Sequence, residues 1–346
     1  MFENSEKTNI ETLGEFGLIK HITKQIELKR KSTIKGVGDD AAVLDFGGKK
    51  VLVSTDMLLE GIHFDLAYTP LKHLGYKAIQ VNLSDIYAMN GIATQVTVSL
   101  GLSSKFPLEA IEELYEGIYL ACEKYKIDLV GGDTSSSRQG LVISVTAIGY
   151  ADEKDIVYRN TAEEGNLICV SGDLGGAYTG LQLLEREKQV YLDNPNIQPD
   201  LEGKDYIVER QLKPEARRDI IELLKDIKVK PTSMIDISDG LASEILHICT
   251  QSNKGCNLYE EKIPIDPMTY ETAREFNLDP TVCALSGGED YELLFTVKQS
   301  DYEKMKNLAD ISFIGYITEP SAGKNLVAKS GAVHELKAQG WNAFKQ

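Results

Sequence analysis

Cysteine is scarce in this sequence and is never arranged as a metal or disulfide motif. The chain of 346 residues has five cysteines, an odd number, and no two of them form a C-x-x-C pair. This argues against a disulfide framework and against a zinc site. We therefore expect buried free thiols at Cys122, Cys169, Cys249, Cys256 and Cys283.

Long apolar runs are also missing. No segment approaches the roughly 18 uninterrupted apolar residues of a membrane span. The N-terminal stretch MFENSEKTNIETLGEF has neither the apolar core nor the cleavage site of a secretory signal peptide. These absences predict a cytoplasmic protein that has no membrane partner.

Basic residues are fewer than acidic ones, 37 against 53, which gives a formal net charge of −16. Nucleic-acid backbones and anionic membranes repel such a chain, so we expect neither as a partner. A phosphorylated substrate would have to arrive with compensating Mg²⁺. The alternative is that the acidic excess only keeps the surface soluble.

Familiar nucleotide-binding signatures are absent as well. There is no G-x-x-x-x-G-K-[ST] loop and no protein-kinase signature. The stretch GVGDDAAVL, 36–44, fits the pattern G-x-G-x-x-A, but two aspartates stand where a pyrophosphate would lie, and the following apolar alternation is typical of a hairpin. Carboxylates at this place would repel phosphate unless a cation lay between them. The stretch therefore indicates a metal site.

Apolar periodicity predicts interleaved helices and strands. Helical spacing occurs in GEFGLIKHITKQI, in residues 71–89 and in PLEAIEELYEGIYLACEKY, whereas ATQVTVSLGL and GLVISVTAIGYA are typical of strands. A polar connection at 151–165 precedes a new series of strand, glycine-rich turn and helix. We predict an α/β fold of the α+β type, with domains 1–151 and 152–346 and a polar insertion at 188–206.

Aspartates stand at the ends of predicted strands or on helix faces, in GDDAA, STD, NLSD, GGD and DISDG. Mg²⁺ prefers carboxylate and phosphate oxygens, so the set predicts several ions that share one site. Asp85 is the most informative member because it shares one face of an apolar helix with Asn82, where an unpartnered carboxylate is costly. A solvated polar stripe is the alternative.

The ordered motifs GDDAA, STDMLLEGIHF, KAIQVNLSDIYAM, GGDTS, DISDGL, LSGGEDYELLFT and GWNAF resemble those of the thiamine-monophosphate kinases. This family belongs to the superfamily of aminoimidazole-ribonucleotide and selenophosphate synthetases, and the resemblance covers nearly the whole chain. It implies the superfamily's two-domain architecture, with a C-terminal α/β domain and a homodimer whose N-terminal sheets pair into a barrel. It also implies ATP-dependent phosphorylation of thiamine monophosphate to thiamine diphosphate, the final step of thiamine diphosphate biosynthesis.

The resemblance further implies a set of site residues. Several Mg²⁺ ions would be held by Asp40, Ser54, Thr55, Asp56, Asp85, Asp133, Asp236 and Asp239. ATP would contact Tyr115, Gly132, Asp133, Arg159 and Ser238. Thiamine monophosphate would contact His63, Glu289 and Trp341. No residue is expected to form a covalent intermediate, because positioning and metal charge suffice for direct in-line transfer. Without the resemblance, Arg159 would be interpreted as a surface arginine in the connection.

Three other functions fit parts of the pattern. A selenophosphate synthetase needs a reactive cysteine in an N-terminal loop, whereas the first cysteine here, Cys122, lies in a predicted helix. A cyclising synthetase shares the fold and the use of ATP, but LSGGEDYELLFT and GWNAF favour the kinase. A catalytically silent nucleotide sensor would be expected to have lost a ligand, and the implied set is complete.

Overall fold

Two mixed sheets organise the residues that the computed structural model describes, which are 33–35, 38–45, 47–103 and 106–338. The first sheet contains β1 (Thr33–Lys35), β2 (Ala42–Asp45), β3 (Lys50–Leu59), β4 (Ile92–Leu102), β5 (Asp128–Ser136) and β6 (Val142–Ala151). The second contains β7 (Leu167–Ser171), β8 (Ser233–Asp236), β9 (Gly255–Tyr259), β10 (Leu293–Val297), β11 (Ile311–Thr318), β12 (Lys324–Val327) and β13 (Val333–Glu335).

Helices connect and cover these strands. They are α1 (Leu71–Ala88), α2 (Leu108–Tyr125), α3 (Gly176–Asp193), α4 (Asp205–Leu212), α5 (Arg218–Asp226), α6 (Leu241–Ser252), α7 (Pro267–Glu275), α8 (Pro280–Ser286) and α9 (Tyr302–Met305). The interleaving of helices and strands confirms the predicted mixed α/β class.

The first sheet has the strand order β1-β2-β3-β6-β4-β5, and within it only β4 and β5 run parallel. The predicted hairpin is confirmed, because β2 pairs antiparallel with β3. Helix α1 packs against β3, β4 and β6 and also against α2. The two helices approach closely at glycines: a Cβ at Gly75 would lie 2.0 Å from the Leu114 carbonyl oxygen, and one at Gly117 would lie 1.9 Å from that of Lys72.

The two faces of this sheet differ. Inward side chains such as Leu52, Val98 and Val145 are buried beneath the helices. The opposite face, here called the outer face, has no helix on it among the described residues and exposes 53% of Met57. Strand alternation therefore decides whether a polar side chain of β3 meets α1 or the outer face.

The second sheet has the order β13-β12-β9-β11-β7-β10-β8, and within it only β9 and β12 run parallel. One apolar cluster runs through both sheets, because Leu74 and Ile79 of α1 belong to it together with Val157, Met234 and Phe295. Helix α1 also contacts β8, α4 and α5 directly. The division into domains 1–151 and 152–346 stays a prediction.

Other predictions have definite outcomes. All five cysteines are free and buried, as expected. None of the helices that the structure describes is long and apolar enough to cross a membrane. The expected insertion at 188–206 is shorter than predicted, because α3 continues to Asp193 and α4 begins at Asp205. The predicted helix in GEFGLIKHITKQI lies outside the described residues.

Candidate active site

Three carboxylates from distant parts of the chain converge at one place. Asp40 lies in the turn before β2, Asp85 in the last turn of α1, and Asp236 at the end of β8; one carboxylate oxygen of each lies within 4.8 Å of the others. The Ser84 hydroxyl donates to Asp236 Oδ2 at 2.7 Å. We call these three aspartates the acidic cluster.

Strand β3 contributes the neighbouring side chains. Ser54 and Asp56 are two residues apart and so face α1 together. The Ser54 hydroxyl donates to Asp85 Oδ2, and the Asp56 carboxylate lies close enough to Asp85 for the two negative charges to repel each other. Asn82 Oδ1 accepts the backbone N–H of Asp56 at 3.0 Å. The helix face that Asn82 and Asp85 share is thus turned to the sheet and is not the solvated stripe of the alternative interpretation.

Burial dominates the electrostatics of these groups. It raises the pKa of Asp85 and of Asp236 well above the ordinary range, and the neighbouring charges of Asp56 and Asp40 respectively raise them further. It also raises the pKa of Asp56 to about 6. The pKa of Asp39 rises to about 6 through burial and the charge of Asp40. A cation or a positively charged side chain next to these carboxylates would therefore stabilise their ionised forms.

Arg159 supplies one such charge. Its Nε lies 2.7 Å from Asp40 Oδ2 and its Nη2 lies 2.6 Å from Asp40 Oδ1, a bidentate pair. The side chain is largely buried, so its interpretation as a surface arginine in a connection is wrong. The physical reason is tertiary: the connection passes beside the turn that carries Asp40, and the guanidinium pairs with the carboxylate there.

The donor set fits a hard divalent cation. Asp39 Oδ2 is buried, accepts no hydrogen bond among the described residues and lies 3.6 Å from the Lys35 ammonium group, and Glu244 Oε2 is likewise buried without a hydrogen-bond partner among those residues. Buried anionic oxygens without donors are costly unless they are protonated or coordinate a cation. Several carboxylate oxygens within a few ångström are the ligands that Mg²⁺ prefers.

The loop after β8 adds Ser238 and Asp239. The backbone N–H of Asp239 donates to Glu244 Oε1 at 3.1 Å, and Ser238 accepts the backbone N–H of Glu289 at 2.7 Å through its carbonyl oxygen. Asp236 is the last residue of the strand that feeds this loop. The loop therefore joins the acidic cluster to the glycine-rich segment that carries Glu289.

Two of the residues implied for substrate lie near each other. His63 Nδ1 accepts the backbone N–H of Leu59 at 3.0 Å. Burial lowers the pKa of His63, while the negative charge of Glu289 opposes that shift and the positive charge of Lys77 adds to it. His63 therefore interacts electrostatically with both Glu289 and Lys77.

Other implied residues stand apart from the acidic cluster. The Thr55 hydroxyl lies on the outer face and donates to the carbonyl oxygen of Val145 at 2.9 Å. Asp133 is exposed on the edge strand β5, in register with Ser99 and therefore also on the outer face. Gly132 lies beside it, where a Cβ would come within 1.7 Å of the Val98 carbonyl oxygen.

Tyr115 lies on α2, with its ring centroid 5.7 Å from that of Tyr119. Trp341 lies outside the described residues.

Sequence reasoning missed three residues that take part in this geometry, Lys77, Ser84 and Glu244, and it placed Asp39 in a stretch that indicates a metal site without including it among the implied ligands. Ser84 and Glu244 had a local signal, since Ser84 is next to Asp85 and Glu244 lies in the first turn of the helix after DISDG. Lys77 had none, because a single lysine in a helix is ordinarily solvated.

Known proteins resemble this chain along nearly all of its length. Residues 38–151 match the family model described as AIR synthase related protein, N-terminal domain. A thiamine-monophosphate kinase of Bacillus subtilis (strain 168) is 34% identical over 342 residues, which cover 96% of this chain and 100% of the relative. One of Aquifex aeolicus (strain VF5) is 34% identical, over 97% of this chain and 99% of the relative.

The chain belongs to the thiamine-monophosphate kinase family. This confirms the resemblance on which the site residues were carried over. Among solved structures, AaThiL complexed with AMPPCP and TMP has a TM-score of 0.82 and 32% identity, with 98% of this chain and 100% of that chain covered. Membership of the kinase family favours the kinase over the synthetases and the silent sensor.

Proposed function

We propose that this chain transfers the γ-phosphate of ATP to thiamine monophosphate and releases ADP and thiamine diphosphate. The observation that carries the proposal is the convergence of the buried acidic cluster with Arg159 in a member of the thiamine-monophosphate kinase family. The solved relative AaThiL is complexed with AMPPCP and TMP, which supports both substrate classes.

We propose that several Mg²⁺ ions bind at the acidic cluster, with Asp40, Asp85 and Asp236 as the central ligands and Asp56 and Asp239 as further ligands. When bound, such ions would neutralise the phosphate charge that these carboxylates would otherwise repel. Arg159 now pairs with Asp40, and we propose that its guanidinium also contacts an ATP phosphate. Ser54 and Ser84 hold the carboxylates of Asp85 and Asp236 in place.

The transfer proceeds in line. An oxygen of the substrate's phosphate forms a bond to the γ-phosphorus while the bond from that phosphorus to the bridging oxygen breaks, and ADP leaves with the electron pair. No side chain becomes covalently attached, since positioning and charge neutralisation supply the catalysis. A chiral γ-phosphate should therefore invert its configuration, and net retention would contradict this route.

We also propose that the protein acts as a homodimer in which the outer faces of two first sheets pair. The outer face is half-apolar and exposes Met57, and the edge strand β5 exposes 58% of Val130. Exposed apolar surface of this kind is typical of an interaction site. Pairing would also explain why Asp133 lies on the outer face and not beside the acidic cluster of its own chain: we propose that Asp133, together with Gly132 and Tyr115, serves the site of the partner copy.

A direct assay tests the function. Purified protein is incubated with ATP, Mg²⁺ and thiamine monophosphate, and both products are quantified by chromatography. We expect thiamine diphosphate and ADP in equal amounts, and no thiamine diphosphate when Mg²⁺ is chelated. ADP formation without thiamine diphosphate would mean that the acceptor is another molecule.

A further inference from the structure

Lys77 is a buried lysine in the middle of α1. Only 2% of the residue is exposed. Its ammonium group lies 3.0 Å from Glu289 Oε1 and donates to the carbonyl oxygen of Gln211 at 3.1 Å. A lysine is rarely buried to this extent unless it is paired, so the contact with Glu289 is what permits its position.

Gln211 completes a clamp around the same carboxylate. Its side-chain Nε2 donates to Glu289 Oε2 at 2.9 Å, while its backbone carbonyl oxygen accepts a hydrogen bond from the Lys77 ammonium group. Each oxygen of Glu289 is therefore held by a different group, one from α1 and one from α4. A carboxylate oxygen accepts more than one hydrogen bond, so the clamped group can still accept a ligand's donor.

The backbone of Glu289 is held as well. It has a φ of 58°, in the left-handed region that residues other than glycine seldom adopt, and its N–H donates to the Ser238 carbonyl oxygen at 2.7 Å. A quarter of the side chain is exposed, whereas that of Lys77 is nearly inaccessible. Glu289 is thus open to a ligand on one side and fixed on the other.

We propose that Lys77 is a positioning residue for the thiamine end of the substrate and acts through Glu289. Lys77 itself does not touch the substrate, because its ammonium group is enclosed between Glu289 and Gln211. It fixes the direction in which the Glu289 carboxylate faces the site beside His63, where a cationic, amino-bearing heterocycle would meet it. This inference rests on the proposed function.

Steady-state kinetics of Lys77→Met test the inference. Loss of the ammonium frees Glu289 Oε1, so we expect KM for thiamine monophosphate to rise about tenfold or more while kcat and KM for ATP stay within about twofold. Lys77→Arg should restore most of the affinity, since a guanidinium can also hold the carboxylate. The matched control is Lys72→Met, which removes an exposed pair with Glu116 on the same helix and should change nothing.

A double-variant cycle separates positioning from structure. If Lys77 acts only through Glu289, then Lys77→Met combined with Glu289→Gln should raise KM no further than Glu289→Gln alone. Additive losses, an equal rise in both KM values, or an unchanged KM for thiamine monophosphate in Lys77→Met would each overturn the inference.

Calorimetric titration with thiamine monophosphate separates this test from that of the function. A wild type that binds this compound but does not phosphorylate it would overturn the proposed function, and the Kd values of the same variants would then test Lys77. A wild type that neither binds nor phosphorylates it would overturn both.

Discussion

The two faces of the first sheet carry aspartates in opposite settings. On the face that α1 covers, Asp56 lies near the charge of Asp85, and burial raises the pKa of Asp56 to about 6. On the outer face, Asp133 is exposed on an edge strand. The comparison shows that an aspartate on the covered face is buried beside other carboxylates, whereas an aspartate on the open face stays in contact with solvent.

A substitution in the acidic cluster, on the covered face, should have the largest effect on activity. Asp85→Asn keeps the size of the side chain but removes the charge that would hold a cation, so we expect kcat/KM to fall about 10²- to 10³-fold or more while the fold survives. Steady-state assays across a Mg²⁺ titration measure the loss. The control is Asp226→Asn, which changes an exposed aspartate at the end of α5. Near-normal turnover of Asp85→Asn would show that the cluster does not serve catalysis.

A mixed-dimer experiment sharpens the comparison. We expect Asp85→Asn and Asp133→Asn each to be inactive as homodimers. If Asp133 serves the partner's site, heterodimers made by subunit exchange contain one intact site, and an equal mixture should recover about a quarter of wild-type activity. A mixture as inactive as its components would place both aspartates in the same site and end the proposal of a shared one.

Trp341 should have a smaller effect. It lies outside the described residues, and its assignment to the substrate stays a prediction. An indole over a cationic ring contributes on the order of 1 kcal/mol, so Trp341→Ala should raise KM for thiamine monophosphate several-fold and leave KM for ATP unchanged. Titration of the fluorescence of this single tryptophan checks the contact. Equal losses toward both substrates with a lower Tm would instead indicate a structural role.

The smallest expected effect is the pH dependence of the stabilisation by Mg²⁺. The pKa of Asp56 is about 6 in the folded chain, above its ordinary 3.8, so the folded state retains a proton that the unfolded state has released. Without metal, stability from this group is present at low pH and is lost as pH rises through that window. Mg²⁺ binds the ionised form, so its effect on Tm should be larger at about pH 8 than at about pH 5.

Differential scanning fluorimetry with and without Mg²⁺ measures this effect, and Ca²⁺-free buffer with chelator provides the baseline. We expect a rise of about 1–2 °C for each kcal/mol of binding free energy. Equal rises at both pH values would show that the buried carboxylates are not the ligands.

The sequence predicted the parts of the fold that local pattern determines. Helix α1 ends one residue before its predicted end, because its periodic apolar run stops where Asn90 adopts a left-handed backbone before Gly91. The hairpin of β2 and β3 follows from period-two alternation. Asp85 could be singled out because a carboxylate in an apolar helix requires a partner.

Pairing between distant residues could not be predicted in the same way. Lys77 and Glu289 are 212 positions apart, and neither residue's local context indicates that the other neutralises it. Arg159 lies in a polar connection whose composition predicts a solvated loop, although its guanidinium pairs with Asp40, which is distant in the sequence. The face on which Asp133 lies depends on the register of β5 with β4, including a register shift between Val96 and Thr97.

The apolar cluster that runs through both sheets has a consequence for how the molecule comes apart. Helix α1 gives one side to the first sheet and another to β8, α4 and α5, so the apolar cluster to which it belongs is shared by both halves. A fragment ending at Ala151 would leave Leu74 and Ile79 without part of their packing and Lys77 without its counter-ion. We therefore expect cooperativity to extend over both halves, so that heating melts them in a single transition and the aspartates of the acidic cluster, contributed by each half, separate together.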